Sequence, residues 1–330
     1  MDAQDFAGRL VGGRSTRSRF EDAALQLKAT AAVPIKTFAA TLNLEGPPTA
    51  ASDEECAQWA LNWASRLGPE DKDRLLLQLM DWFKKDFFKW AGKLECPGCG
   101  SEDTATVRMA TPLDHEKSDL AGRVEVNECK SCGCEFRFPR YNNPGKLLET
   151  RLGRCGEWAN CFGLILCALG FETRYVLDWT DHVWCEVWSD RVKRWVHCDC
   201  CEGPNTIDSP YMYEAGWGKK LNYIVAFGLD HVVDVTQRYT QKFEELKRER
   251  RPIPETVVET LVFQEHKNQG KVARRKEHHA DTLSTRSRLL MEQFEFLDNT
   301  SARTDLKEAE QQGRVSGEAE WKRLRGEDGK

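Results

Sequence analysis

Two groups of residues in this chain have the types and the spacing to do chemistry. The first centres on Cys155, set among Gly153, Arg154 and Gly156 and followed by an apolar run, Phe162 to Leu169, that closes on Gly170. A run of that length stopped by glycine reads as a helix with a C′ glycine, so Cys155 stands at or just before the helix N-terminus. Unpaired backbone N–H groups and the helix dipole favour negative charge there, and the thiolate is the nucleophilic form of cysteine. Two strand-like segments follow, one opened by Asp181-His182 and running through Trp188, the other running from Arg194 to Asp199. Cys155, His182 and Asp199 thus supply, in chain order, a nucleophile, its general base and the group that orients the base. His197 lies one strand step from Asp199 and is a distant rival base.

The second group is Cys96-x2-Cys99 with Cys129-x2-Cys132. Two such turns are the knuckles of a tetrahedral zinc site made of four cysteines, closed to water and therefore structural. Redox C-x-x-C motifs come singly, which weighs against that reading. The long separation requires a β-rich insertion that loops out and returns, and Arg123 to Asn127 alternates as a returning strand does. Cys134 competes with Cys132 for the fourth position; knuckle geometry favours Cys132.

The elements that must position these groups are legible in part. Ser52 and Glu55 form a capping-box signature before a first clear helix, and a second, mostly apolar one runs from about Pro69. Segments at Arg174–Asp178, Tyr223–Phe227 and His231–Val235 read as further strands, with Ser189-Asp190 as a turn. The fold class predicted is α+β, one helix packed on an antiparallel sheet of about five strands. The regions divide as 1–92, helical; 93–140, the zinc-binding module; 141–240, the catalytic core; and 241–330, a helical and partly disordered extension. Within the last, Val257–Val262 and Leu289–Phe296 are short amphipathic segments suited to docking partners, and the polar chain beyond about 298 reads as a solvated tail.

Composition narrows the function classes. At 330 residues, 40% apolar, with 11 Trp and a net charge of −5, the chain can bury a core and has no basic excess for nucleic acid. Neither a signal-peptide core nor an apolar run long enough for a bilayer is evident. Thirteen cysteines without an export signal indicate a reducing, cytoplasmic compartment, and the sequon Asn299-Thr300-Ser301 is then a chance match.

Several segments in collinear order carry a family resemblance: the two Cys-x2-Cys turns, Phe138 to Asn143, Gly153 to Asn160, Thr180 to Trp184, His197-Cys-Asp199 with Cys201-Glu202, and Gly216 to Leu221. Over roughly residues 70–240 the chain resembles the cytoplasmic peptide:N-glycanases, in a lean architecture similar to the yeast form. That resemblance implies a transglutaminase-like, papain-related core with structural Zn2+. It also implies hydrolysis of the amide joining N-acetylglucosamine to Asn in misfolded N-glycoproteins. Cys155, His182 and Asp199 become the triad, Trp184, Trp195 and Glu202 line the glycan or active-site cleft, and Trp90 offers its indole N–H to the oxyanion region. Terminal helices of such a lean form dock a ubiquitin-receptor shuttle protein. Fold does not fix substrate, so a cysteine protease, a transglutaminase, and a transglutaminase-fold scaffold without activity are the competing readings. The complete triad and the lack of a basic stripe weigh against the scaffold.

Overall fold

The computed structural model describes residues 2–249, 253–275, 282–298 and 305–329. The sequon at 299–301 lies outside the described residues. The N-terminal region is built of helices α1 (Ala3–Arg19), α2 (Ala23–Ala32), α3 (Ile35–Leu42), α4 (Asp53–Ala60) and α5 (Pro69–Trp82). The Ser52–Glu55 capping box is formed, with each side chain satisfying the other residue's backbone N–H. Proline opens α5 at its first turn, where a missing N–H costs nothing.

A short strand, β1 (Lys89–Trp90), then leads into β2 (Thr104–Ala110), helix α6 (Asp114–Ser118), β3 (Ala121–Cys129) and β4 (Glu135–Tyr141). Strands β2, β3 and β4 pair in that order as an antiparallel sheet, which is the loop-out and return that the two knuckles require. Helix α7 (Pro144–Thr150) and the two-residue strand β5 (Leu152–Gly153) bring the chain to α8 (Cys155–Ala168). Gly170 follows at φ +86°, and a Cβ there would meet Asn62 Cα at 2.8 Å, so glycine is required by both conformation and space.

The second sheet holds β6 (Thr173–Asp178), β7 (His182–Ser189), β8 (Arg194–Cys198), β9 (Ile224–Phe227) and β10 (Val232–Asp234), in the antiparallel order β10-β9-β6-β7-β8. The period of two sorts its side chains. Tyr175, Leu177, Val183, Cys185, Val187, Val225 and Phe227 belong to the apolar core that includes α8. Val176, Trp184, Ile224 and Ala226 turn to the opposite face, against Tyr213, Trp217 and Tyr239. Buried α8 on a five-stranded antiparallel sheet is the α+β arrangement predicted.

The remaining helices are α9 (Thr236–Tyr239), α10 (Phe243–Glu249), α11 (Glu255–Arg275), α12 (Thr282–Asp298) and α13 (Ala319–Leu324). The segments at 257–262 and 289–296 are parts of long helices with defined places on the sheet. Helix α11 packs on β10 and α1, burying Val258 and Val262, and α12 packs on β8. Glu292 of α12 is buried and bonds both Arg174 and Arg238. The chain from 305 to 329 departs from the expected solvated tail. Glu310, Arg314, Ser316 and Glu327 are all buried against the core. Composition misleads here because the segment is held by ion pairs and backbone hydrogen bonds, which leave no apolar periodicity. No helix among the described residues is long and apolar enough to cross a membrane.

Candidate active site

Cys155 is the first residue of α8, and the strand in front of it fixes where it lies. Strands β1 and β5 pair in parallel, Trp90 against Gly153, and Trp158 Nε1 donates to Gly153 O at 3.0 Å. A Cβ on Gly153 would meet Glu157 Cβ at 2.3 Å, so only glycine lets the chain enter the helix this way. Glu157 accepts the Arg154 backbone N–H at 3.0 Å, and Arg140 clamps its carboxylate through Nε at 2.6 Å and Nη2 at 2.7 Å. Arg154 in turn holds Glu125 at 2.6 and 2.8 Å. Glu125 and Arg140 belong to β3 and β4, so the sheet that carries the cysteine knuckles also anchors the N-terminus of α8. Glu157 is therefore an ion-pair partner of the scaffold.

His182 opens β7, and its Nε2 lies 2.7 Å from Asp199 Oδ2, both side chains fully buried. Asp199 also accepts the Cys201 backbone N–H at 2.9 Å and the Tyr213 hydroxyl at 3.0 Å. With Tyr213 donating to Asp199, its oxygen is left to accept from His197 Nε2 at 2.7 Å. His197 is thus a buried member of this polar chain, and burial lowers its pKa to about 4. The other nitrogen of His182, Nδ1, is buried and has no hydrogen-bond partner among the described residues. It is the ring position open to a thiol or a substrate atom. His182 packs against Trp217, Tyr213 and Trp184 at ring distances of 5.0, 5.4 and 5.6 Å.

Cys155, partly exposed, lines a cleft of about 390 Å³ with Trp90, Arg123, Asp181, Trp321 and Arg325. Asp181, the chain neighbour of the buried His182, is part of that lining. Burial pushes the Cys155 thiol up, opposed by Arg314, and burial holds His182 well below its usual range, assisted by Arg314 and Lys219. Both groups are biased toward their neutral forms. The helix start alone therefore does not make Cys155 a thiolate.

Trp90 stands in the cleft as expected, but three anticipated substrate contacts have no surface there. Trp184 is fully buried, stacked on Tyr213 at 4.4 Å with its Nε1 donating to Tyr239. Trp195 is covered by the Arg174 guanidinium at 3.8 Å from the ring centroid. Both Glu202 oxygens are taken by the backbone N–H groups of Val315 and Ser316, at 2.6 and 3.0 Å. Residues distant in the chain cover these positions, Tyr213 and Tyr239 over Trp184, Arg174 over Trp195 and the returning C-terminal segment over Glu202, and no local pattern announces that. Sequence reasoning does not reach Tyr213, Trp217 and Arg314 as functional residues. The first two lie in the Gly- and aromatic-rich stretch 213–219, which is a usable signal; Arg314 has none.

At the far end of the three-stranded sheet, Cys96, Cys99, Cys129 and Cys132 place their sulfurs within 4.8 Å of one another. Cys96 and Cys132 are 3.7 Å apart and Cys99 and Cys129 3.6 Å, and the Gly98 N–H points at Cys96 Sγ at 3.4 Å. Four converging thiols fit a metal ion. Cys132 belongs to the group of four, and Cys134, whose sulfur reaches Glu135 O, stands beside it next to Cys96.

The transglutaminase-like superfamily profile matches residues 105–200, spanning Cys155, His182 and Asp199, and the Rad4 transglutaminase-like domain profile matches 179–308. The two profiles overlap at residues 179–200. The chain is 44% identical to a peptide-N(4)-(N-acetyl-beta-glucosaminyl)asparagine amidase of Gallus gallus over 94% of its length, covering 44% of that protein. The figures are 42%, 94% and 44% for the Homo sapiens amidase and 40%, 84% and 37% for that of Arabidopsis thaliana. The chain thus spans less than half the length of these curated relatives. Among solved structures, Rad4–Rad23 bound to a 6-4 photoproduct lesion matches with TM-score 0.50 over 93% of this chain and 59% of that one, at 14% identity. That likeness concerns the fold.

Proposed function

We propose that this transglutaminase-like chain hydrolyses the amide between N-acetylglucosamine and Asn in misfolded N-glycoproteins, converting Asn to Asp. The observation that carries this reading is the buried His182–Asp199 pair, its Nδ1 free, beside the cleft that Cys155 opens into. The amidase relatives at 40–44% identity support the substrate class.

In this reading His182 takes the Cys155 proton through Nδ1, and the thiolate attacks the side-chain carbonyl carbon. Backbone N–H groups at the start of α8 receive the oxyanion, a contribution of about 10²–10³ in rate for one such donor. The C–N bond breaks as imidazolium returns the proton to the departing glycosylamine, leaving a thioester on Cys155. Water, deprotonated by His182, then releases the Asp carboxylate and restores the thiol. Asp199 holds the tautomer throughout, with Nε2–H directed at its Oδ2, and Tyr213 holds Asp199.

Cys96, Cys99, Cys129 and Cys132 would bind Zn2+, which supplies folding free energy to the sheet that anchors α8. The exposed apolar side chains of α12, namely Leu290, Met291, Phe294 and Leu297, are the surface on which a ubiquitin-receptor shuttle protein would dock. A cytoplasmic setting keeps the nucleophilic thiol reduced. The test is incubation with a denatured N-glycoprotein, reading free glycan by chromatography and Asn-to-Asp conversion by mass spectrometry. The expected result is release by the wild-type chain and none by Cys155→Ala; equal release by both refutes the assignment.

A further inference from the structure

The chain from 305 to 329 returns to the cleft and places one guanidinium among Trp90 and Trp321, which line the cleft, and Trp217, which packs on His182. Arg314 is fully buried at its side chain. Its guanidinium carbon lies 4.6 Å from the ring centroid of Trp217, 4.6 Å from Trp321 and 5.5 Å from Trp90. Trp217 packs on His182, and Trp90 is the strand neighbour of Gly153 in front of Cys155. Nη1 bonds Glu327 at 2.7 Å and Nε bonds Ser316 Oγ at 3.0 Å, while Nη2 is buried with no partner among the described residues.

The segment is built to keep this charge in place. Glu202, three residues from Asp199, grips the backbone at 315 and 316. Glu310 accepts the Tyr211 N–H, and Arg325 joins the other end to Asp181 at 2.9 Å. Gly216 leaves room for the segment: a Cβ there would meet Gln312 O at 2.2 Å. A buried cation costs several kcal/mol to desolvate unless its surroundings return that energy, and here one carboxylate and three aromatic faces do so.

We propose that Arg314 is a positioning residue of the Cys155–His182 pair, a fixed positive charge that stabilises the thiolate once His182 has taken its proton and makes the imidazolium a readier proton donor. This rests on the reading of Cys155 as nucleophile and His182 as its base. One cation favours charge separation at Cys155 and opposes charge on His182, and release of the leaving group needs both. Other charges face the pair as well: Asp181, Glu157 and Arg140 toward Cys155, and Lys219, Asp178, Glu327 and Asp199 toward His182. Among these, Arg314 acts on both members. It therefore sets their relative protonation, where Lys219, already paired with Asp178 at 2.6 Å, acts on His182 alone.

The test reads the thiol directly, without glycoprotein substrate. The full chain is titrated for the rate of iodoacetamide labelling at Cys155 as a function of pH, with the labelled residue identified by mass mapping. Arg314→Met should move the midpoint up by about one pH unit, and Arg314→Lys should return most of that shift. Glu327→Gln, which strips the countercharge but keeps an acceptor, should move the midpoint down. Folding of each variant is checked by its urea midpoint. A folded Arg314→Met with an unmoved midpoint overturns the proposal. Should that variant not fold, Glu327→Gln decides, and a midpoint unmoved or raised overturns it. Failure of the amidase reading would show separately, as no glycan release by the wild-type chain with the labelling shifts intact.

Discussion

The four clustered cysteines and the Cys155 cleft are assembled in different ways. The cluster draws on two turns whose outermost members, Cys96 and Cys132, are 36 residues apart. A single antiparallel sheet returns one turn to the other. The cleft gathers Trp90, Cys155, Asp181, Trp321 and Arg325 from separate stretches of chain, and its Arg325–Asp181 contact spans 144 residues. In the cluster the thiols are their own partners. In the cleft the thiol is one member of a group in which Asp199, Tyr213, Trp217 and Arg314 set what His182 and Cys155 can do. On the reading proposed above, the same side chain would be a ligand where its neighbours are other thiols, and a nucleophile where they are an imidazole and a guanidinium. The two regions meet at Glu125, Arg140, Arg154 and Glu157, through which the cluster's sheet holds the helix that bears Cys155.

The largest expected effect separates the two kinds of thiol outright. Cys155→Ala should lower glycan release by at least about 10⁴-fold with little change in stability, and His182→Ala and the double variant should match it, since such residues act as a unit. Single-turnover assays beside urea titrations measure both quantities. A double variant markedly worse than either single one would break the pairing.

Metal removal should act on the opposite side of the comparison. Chelation, or Cys129→Ser, should destabilise the chain by several kcal/mol and lower turnover through the Glu125–Arg154 link. Elemental analysis should find one zinc per active chain, lost in step with the unfolding midpoint. A metal-free chain that keeps full stability and rate would detach the cluster from the cleft.

The third effect probes two buried histidines, His197 and His231, to which the cluster has no counterpart. Burial lowers His197 and His231 to about 4 from an ordinary 6.5. Arg174 donates to His231 Nε2 at 2.7 Å, so its Nδ1–H points at Asp230 and the ring must stay neutral. The unfolded chain binds more protons than the native one between these values. Stability is therefore complete above about pH 6.5 and falls as pH drops toward 4, by on the order of 3 kcal/mol per histidine. Urea midpoints at pH 7, 5.5 and 4.5 should fall in that order, and His231→Gln should flatten the slope. A slope unchanged in that variant would exclude His231 as a contributor.

The smallest effect sharpens the cleft itself. Tyr213→Phe removes one of the three donors to Asp199, a loss of about 1 kcal/mol, so turnover should drop by roughly 5-fold with substrate affinity held. A change confined to KM would show that Tyr213 serves binding and not the orientation of Asp199.

What the sequence determined by itself is what its local chemistry encodes. The paired Cys-x2-Cys turns carry the cluster, because two knuckles need only a hairpin to bring them together. The apolar run after Cys155 and its Gly170 stop carry α8, because helix length and C′ conformation are local properties. The alternation in β6 to β10 carries the sheet, because a period of two assigns each side chain its face. His182 and Asp199 are legible as residue types on neighbouring strands, and their pairing follows from the sheet. Only the tertiary structure decided what covers them. Trp184, Trp195 and Glu202 are cleft residues by the family resemblance, yet Tyr213 and Tyr239, Arg174, and the 305–329 segment cover them in turn. Arg314 sits in a polar stretch with no periodicity, and its place among Trp90, Trp217 and Trp321 exists only once the chain has returned to Glu202 and Asp181. Periodicity and turn chemistry act between near neighbours in the chain, whereas a buried ion pair joins residues whose separation in sequence has no bearing on their attraction.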